Sequence, residues 1–223
     1  MVALGTPDTS SLEPETRVAF ARLGALRWIS DFYLAGSAAL SLYLRHRPVH
    51  GLDLMSPVRR LEAIERRDLL EDLLAIDAAT RVETARDGFL YARLQSDVVV
   101  RFYYYPYPLV DPELVCEEIP VASLIDLGLM KLGAIISRGT RRDFVDLYLL
   151  CRQVPLAELL DRAQDKFGHV DDFPLQALKG LADQSLTEGE PMPKLADPLD
   201  WREVQVWIED EVRCSASERL GRD

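Results

Sequence analysis

The sequence predicts an α+β fold, in which a mixed β-sheet flanked by helices is followed by a mostly helical C-terminal part. Between residues 30 and 110, short apolar segments that are typical of strands alternate with helical patterns. From Ser123 onward the apolar spacing is that of helices, almost to the end of the chain. We therefore expect two parts in the 223 residues: an α/β core over residues 1–120, and a helical part over residues 121–223 that packs on the core.

The α/β core is predicted to begin with a helix at residues 14–25, followed by a strand, a second helix and a second strand. The strand is "FYLA" (32–35), the helix is "AALSLYL" (38–44) with Ser37 at its N-cap position, and the next strand is "LDLM" (52–55). An amphipathic helix over residues 61–76 comes next, and three β-rich segments separated by turn residues complete the core. Together these segments predict a sheet of about five strands.

Composition and charge exclude several classes of protein. A net charge of -11 argues against a nucleic-acid binder that works through a broad basic surface, so any phosphate ligand must be held locally. Three widely spaced cysteines suggest neither a disulfide framework nor a zinc site, and indicate reduced thiols and a cytoplasmic location. No apolar run approaches the roughly 18 residues that span a bilayer, so no membrane association is expected.

A Gly-Ser pair, Gly36 and Ser37, stands between the first strand and its helix. Backbone N–H groups and a hydroxyl at a helix N-terminus favour a phosphate group. Small residues before a helix are also common as plain caps, and both interpretations stay open on this pair alone.

One acidic residue, Asp53, lies on the second predicted strand. Alternate side chains of a strand share a face, so Gly51 and Asp53 point the same way. Two-metal phosphoryl transfer uses paired carboxylates at such positions to hold Mg²⁺. Here only the second carboxylate is present, and a strand-end acid that caps a loop is the alternative.

A lone lysine, Lys131, interrupts the apolar segment "LIDLGLMKLGAII". Its ammonium group is costly to bury unless it meets a carboxylate or extends to solvent. Asp143 and Asp146 share one face of the next predicted helix and could receive it. The open alternatives are this buried contact and a lysine that reaches the surface beside a structural aspartate.

Several segments together resemble the nucleotidyl transferase AbiEii/AbiGii toxin family, which has a nucleotidyltransferase fold. They are "LAGSAALSLYLRHRPVHGLDL", "YYYPYPL" and "VASLIDLGLMKLGAIISRGTRRDFVDLYLL". The likeness covers residues 30–212, and its most specific part is the block from Lys131 to Leu150.

The resemblance implies that a nucleotide is transferred from an NTP, with Mg²⁺, onto an RNA or protein acceptor. It also implies a toxin with a cognate antitoxin as its partner. The residues that match the family's positions fall into three predicted roles: Gly36, Ser37 and Arg47 bind the nucleotide; Asp53 binds the metal; Asp53, Lys131, Asp143 and Asp146 are catalytic.

Two departures from the family's pattern keep a second function open. Gly51 replaces the first acid of Asp-x-Asp, and the strand around Arg101 offers no third carboxylate. If Arg101 points toward the site, its charge repels Mg²⁺. The two hypotheses are therefore a nucleotidyltransferase with a reduced set of acids, and a catalytically degenerate protein that binds a nucleotide or a partner.

Overall fold

A computed structural model describes residues 6–220 of the chain, with side chains described to residue 217. Within this range the chain divides into two compact units, residues 6–123 (the sheet unit) and residues 124–220 (the helical unit). The predicted boundary is at residue 120, and the ends of the two predicted parts, residues 1–5 and 221–223, lie outside the described range.

The sheet unit combines helices with a seven-stranded sheet. Its helices are α1 (Pro14–Gly24), α2 (Gly36–Leu44) and α3 (Ala63–Ile76). Its strands are β1 (Tyr33–Ala35), β2 (Gly51–Ser56), β3 (Arg81–Arg86), β4 (Phe89–Arg93), β5 (Val99–Tyr104), β6 (Leu114–Cys116) and β7 (Ile119–Val121). The sequence prediction of about five strands missed β6 and β7, which have three residues each.

The sheet is mixed, which confirms the predicted fold class. Its strand order is β3-β4-β5-β2-β1-β7-β6. β2 runs antiparallel to β1 and parallel to β5, and β1 runs parallel to β7. Parallel neighbours need long connections, and the one between β2 and β5 contains α3, β3 and β4.

The two faces of the sheet differ in burial. On β2, Leu52 and Leu54 are fully buried, whereas Asp53 and its neighbours on the same face are half-buried. Behind the buried face, the rings of Trp28, Phe32 and Phe102 pack edge to face at centroid distances of 5.3 to 5.6 Å. This aromatic cluster fixes the position of the strands and leaves the opposite face for polar side chains.

The helical unit confirms the predicted helical character of the C-terminal part. Its helices are α4 (Leu124–Ser137), α5 (Arg141–Cys151), α6 (Leu156–Phe167), α7 (Phe173–Ala182) and α8 (Trp201–Leu220). Helices α4 and α6 approach closely at Gly128, where a Cβ atom would lie 2.7 Å from the methyl groups of Leu159. None of the described helices combines the length and apolar character that are needed to cross a membrane.

Candidate functional site

The connection from β1 to α2 forms the first element of the candidate site. Gly36 has φ +63°, a conformation that glycine adopts without strain, and it is the first residue of α2. A Cβ atom at this position would lie 2.6 Å from Oδ2 of Asp53. Only glycine therefore lets the Asp53 carboxylate come this close to the backbone at the start of the helix.

The predicted N-cap role of Ser37 is wrong. The N-cap residue is Ala35, which makes no side-chain cap, and Ser37 is the second residue of the helix. The helix begins earlier than the sequence pattern indicates, at Gly36 with its positive φ. Ser37 still belongs to the first turn of α2, where backbone N–H groups lack helical partners.

Asp53 and Arg101 form an ion pair on the half-buried face of the sheet. The two residues are directly opposite each other on the parallel strands β2 and β5. Arg101 Nη1 donates a hydrogen bond to Asp53 Oδ1 over 2.9 Å. The same Nη1 atom would lie 3.7 Å from a Cβ at Gly51, so the guanidinium fills the space beside the missing first acid.

Tyr91 is the third member of this row of side chains. It lies opposite Arg101 on β4, and the guanidinium carbon is 5.3 Å from the centre of its ring. A cation at this distance over a tyrosine ring is attracted by the ring's quadrupole. Sequence reasoning missed Tyr91, because its place in the row depends on the pairing of β4 with β5 and not on any local motif.

The electrostatics of the pair favour a charged arginine. Burial disfavours the cation, but the hydrogen bond and the charge of Asp53 outweigh that effect and raise the pKa of Arg101 above its usual value. The side chains of Arg101 and Asp53 are 33% and 23% exposed, so the pair contributes at most about 1 kcal/mol to stability. Both side chains are open enough to meet a ligand.

These residues do not fit a resident two-metal Mg²⁺ centre. Magnesium in phosphoryl-transfer sites is held by carboxylates together with substrate phosphates. Among the described residues no group of three or more acidic, histidine or cysteine side chains could hold an ion. The one carboxylate present, that of Asp53, already accepts a hydrogen bond from a cation. A metal ion at Asp53 would be repelled by the Arg101 guanidinium, since two like unit charges about 4 Å apart repel each other by about 4 kcal/mol near a protein surface.

A second charged cluster lies within the helical unit, around Lys131. Lys131 Nζ on α4 is 3.2 Å from Asp143 Oδ1 and 2.7 Å from Asp146 Oδ2 on α5. Arg138 Nε and Thr140 Oγ1 also donate to Asp143 Oδ2, over 2.8 and 2.6 Å. The predicted contact of Lys131 with the two aspartates is confirmed, and the alternative of a lysine that reaches the surface is wrong.

The Lys131 cluster is buried and strongly coupled. Asp143 and Asp146 are at most 1% exposed. Burial opposes the charge of Asp143, but Arg138, Lys131 and Thr140 together lower its pKa from 3.8 to about 2. The cluster therefore holds α4 and α5 together through charged hydrogen bonds. The catalytic roles of its members stay predictions.

The remaining predicted site residue, Arg47, lies in the sheet unit. It is buried, and its backbone carbonyl accepts a hydrogen bond of 2.6 Å from Ser41 Oγ. Four predicted site residues thus belong to the sheet unit, namely Gly36, Ser37, Arg47 and Asp53, and Gly36 and Asp53 approach each other directly. The nucleotide-binding role of Arg47 stays a prediction.

The helical unit also contains a buried ion pair that sequence reasoning missed. Lys166 Nζ on α6 lies 2.8 Å from Asp126 Oδ1 on α4, and neither side chain is exposed to solvent. Burial lowers the pKa of Lys166, and the charge of Asp126 opposes that effect. Asp126 in the apolar segment before Lys131 was the available sequence signal.

The fold is that of a nucleotidyltransferase. The protein resembles a Helicobacter pylori protein of known crystal structure, provisionally assigned as a nucleotidyltransferase, with a TM-score of 0.54. The superposition covers 93% of this chain and 94% of the other, at 14% sequence identity, so the likeness concerns the fold alone.

The chain belongs to the nucleotidyl transferase AbiEii toxin family of type IV toxin–antitoxin systems, whose sequence profile matches residues 18–206. It is also 31% identical over 144 residues to an uncharacterized protein of Aquifex aeolicus. That alignment covers 61% of this chain and 65% of the length of the Aquifex protein.

Proposed function

We propose that this protein transfers a nucleotide from an NTP to an RNA or protein acceptor, as the toxin of a toxin–antitoxin pair. Membership of the AbiEii family supports the reaction class. The observation that carries the proposal is the approach of Asp53 Oδ2 to Gly36 at the first turn of α2. This arrangement places a carboxylate beside backbone N–H groups that favour a phosphate.

In this proposal the start of α2, with Gly36 and Ser37, holds phosphate groups of the nucleotide, and Arg47 assists. Asp53 lies at the same place, where its carboxylate would hold the Mg²⁺ ion that arrives with the triphosphate. Mg²⁺ enters as part of the substrate, because a triphosphate carries the ion with it and needs few protein ligands for it. Lys131, Asp143 and Asp146 keep their predicted catalytic roles as part of the proposal.

A second candidate function is favoured by one observation, the ion pair between Arg101 and Asp53 next to Gly51. A site in which the only acid is paired with an arginine can bind a nucleotide, or a partner such as an antitoxin, without transferring anything. In that case the family's reaction has been lost from this chain and its fold has been kept.

The two candidates are separated by a labelling experiment. The purified protein is incubated with each α-³²P-labelled NTP, Mg²⁺ and either total RNA or a protein extract, and incorporation of label is measured. We expect labelling of one class of acceptor, and its loss in Asp53→Asn.

The matched control is Asp87→Asn. Asp87 carries the same charge in the same unit, but its side chain is 89% exposed and pairs with Arg66. Labelling should be unchanged in this variant. If Asp53→Asn labels as well as the wild type, the role of Asp53 is wrong; if the wild type labels nothing with any NTP, the second candidate is favoured.

A further inference from the structure

The position of Arg101 points to a role for this residue in ligand binding. We propose that Arg101 is the resident cation of the site, that it binds the triphosphate of the nucleotide directly, and that nucleotide binding therefore does not depend on a divalent metal ion. The inference rests on the proposed function, because it takes a nucleoside triphosphate as the ligand.

The first argument is positional. Gly51, Asp53 and Arg101 lie on one face of the paired strands β2 and β5, with Arg101 directly opposite Asp53. The guanidinium is 2.9 Å from the Asp53 carboxylate and 3.7 Å from the position of a Cβ at Gly51. A positive charge thus occupies the space beside Asp53 that an acid at position 51 would share with a metal ion.

The second argument concerns unused hydrogen-bond donors. A guanidinium carries five N–H donors in a planar fork that matches a phosphate group. Within residues 6–220, the hydrogen bond that Arg101 donates goes from Nη1 to Asp53. Its side chain is 33% exposed, so the remaining donors can be reached by a ligand.

The third argument is that Arg101 is held in place before any ligand arrives. Asp53 anchors one end of the guanidinium, and the ring of Tyr91 lies against it with a separation of 5.3 Å. A cation fixed in this way loses little conformational freedom when it binds a phosphate. The arrangement lies beside the first turn of α2, since Asp53 Oδ2 also approaches Gly36.

Arg101 could instead neutralise Asp53 in a site that binds nothing, and a binding experiment separates the two cases. Inorganic tripolyphosphate and the four NTPs are titrated into the wild-type protein by calorimetry, once in EDTA and once in excess Mg²⁺. For the best-bound NTP and for tripolyphosphate, we expect dissociation constants in the two conditions to agree within about threefold. In EDTA, Arg101→Gln should weaken binding by about tenfold or more, because it removes charge-assisted hydrogen bonds.

Two further variants test the charge and the geometry. Arg101→Lys keeps the charge but loses the planar fork, so its affinity should fall between those of the wild type and Arg101→Gln. Arg101→Asp should abolish binding in EDTA and make any remaining binding depend on Mg²⁺. Thermal unfolding of each variant checks that the fold is kept.

Arg86→Gln is the matched control. Arg86 lies in the same unit and its guanidinium carbon is 5.4 Å from the ring of Phe89, much as Arg101 lies over Tyr91. It is exposed on β3 and has no contact with Asp53 among the described residues. Its removal should leave the affinity for tripolyphosphate unchanged.

Three results would overturn the inference: wild-type binding that is lost in EDTA, equal affinity of Arg101→Gln and the wild type, or no binding of tripolyphosphate or any NTP in either condition. The labelling experiment keeps the proposed function separate. Transfer by a wild type whose binding requires Mg²⁺ refutes the role of Arg101 and supports the reaction. Arg101-dependent binding in EDTA without any transfer supports the role of Arg101 and refutes the proposed reaction.

Discussion

The Lys131 cluster makes the stability of the protein depend on pH through Asp143. The pKa of this carboxyl is lowered from 3.8 to about 2 in the folded protein. One pKa unit corresponds to about 1.4 kcal/mol, so Asp143 contributes about 2 kcal/mol to the free energy of unfolding. Because the folded pKa is the lower one, this contribution is complete above about pH 4 and is lost as the pH falls through 2.

Asp143→Asn tests this reasoning. The variant should lose about 2 kcal/mol or more at pH 7, because the amide cannot replace the charged hydrogen bonds from Lys131 and Arg138. Urea unfolding, followed by circular dichroism from pH 7 to pH 2, should show the difference between variant and wild type shrinking below about pH 4. Asp87→Asn, which changes an exposed carboxylate, should follow the wild type. A constant difference between Asp143→Asn and the wild type across this range would refute the assignment.

The remaining predictions concern one buried pair and one glycine. Lys166→Met leaves Asp126 buried without its ammonium partner and should cost about 3–5 kcal/mol, whereas adding Asp126→Leu should restore most of that loss in urea unfolding. If the double variant lost as much free energy of unfolding as the two single variants together, this account would be contradicted. Gly36→Ala and Gly88→Ala both force alanine into positive φ and should each cost about 1–2 kcal/mol, but only the methyl at Gly36 meets Asp53. Binding of tripolyphosphate should therefore weaken only in Gly36→Ala, and equal affinities for the two variants would contradict the placement of the site.

The parts of the fold that local patterns determine could be predicted from the sequence, and the hairpin of β6 and β7 could not. Tight two-residue hairpin turns are normally recognised in a sequence by Asn-Gly or Asp-Gly, because these residues adopt positive φ easily. Here Glu117 and Glu118 occupy the turn with φ of 43° and 69°. Because neither residue favours this conformation, the sequence carries no turn signal, and the pairing of the strands must hold the turn in place.

Part of the candidate site could be predicted from local sequence patterns, and the part that depends on strand pairing could not. Gly36 and Asp53 stand out because they lie within a short strand–helix–strand pattern, one before the helix and the other on the second strand. The effect of Arg101 depended on whether it faces Asp53, and that follows from the parallel pairing of β2 with β5 across a long connection. Parallel register of this kind is set by packing of the whole sheet and leaves no local trace in the sequence.

The degree of exposure separates the two charged clusters as candidates for ligand binding. The side chains of the Lys131 cluster, namely Lys131, Asp143 and Asp146, are at most 8% exposed. A phosphate that displaced one of the two aspartates from Lys131 would therefore leave that buried aspartate without its lysine partner. Such an uncompensated buried charge costs several kcal/mol. Arg101 is 33% exposed and can donate hydrogen bonds to a phosphate while it keeps its hydrogen bond to Asp53. For this reason a ligand can bind at the half-buried pair on the sheet at low energetic cost, whereas substitution in the buried cluster should first change stability.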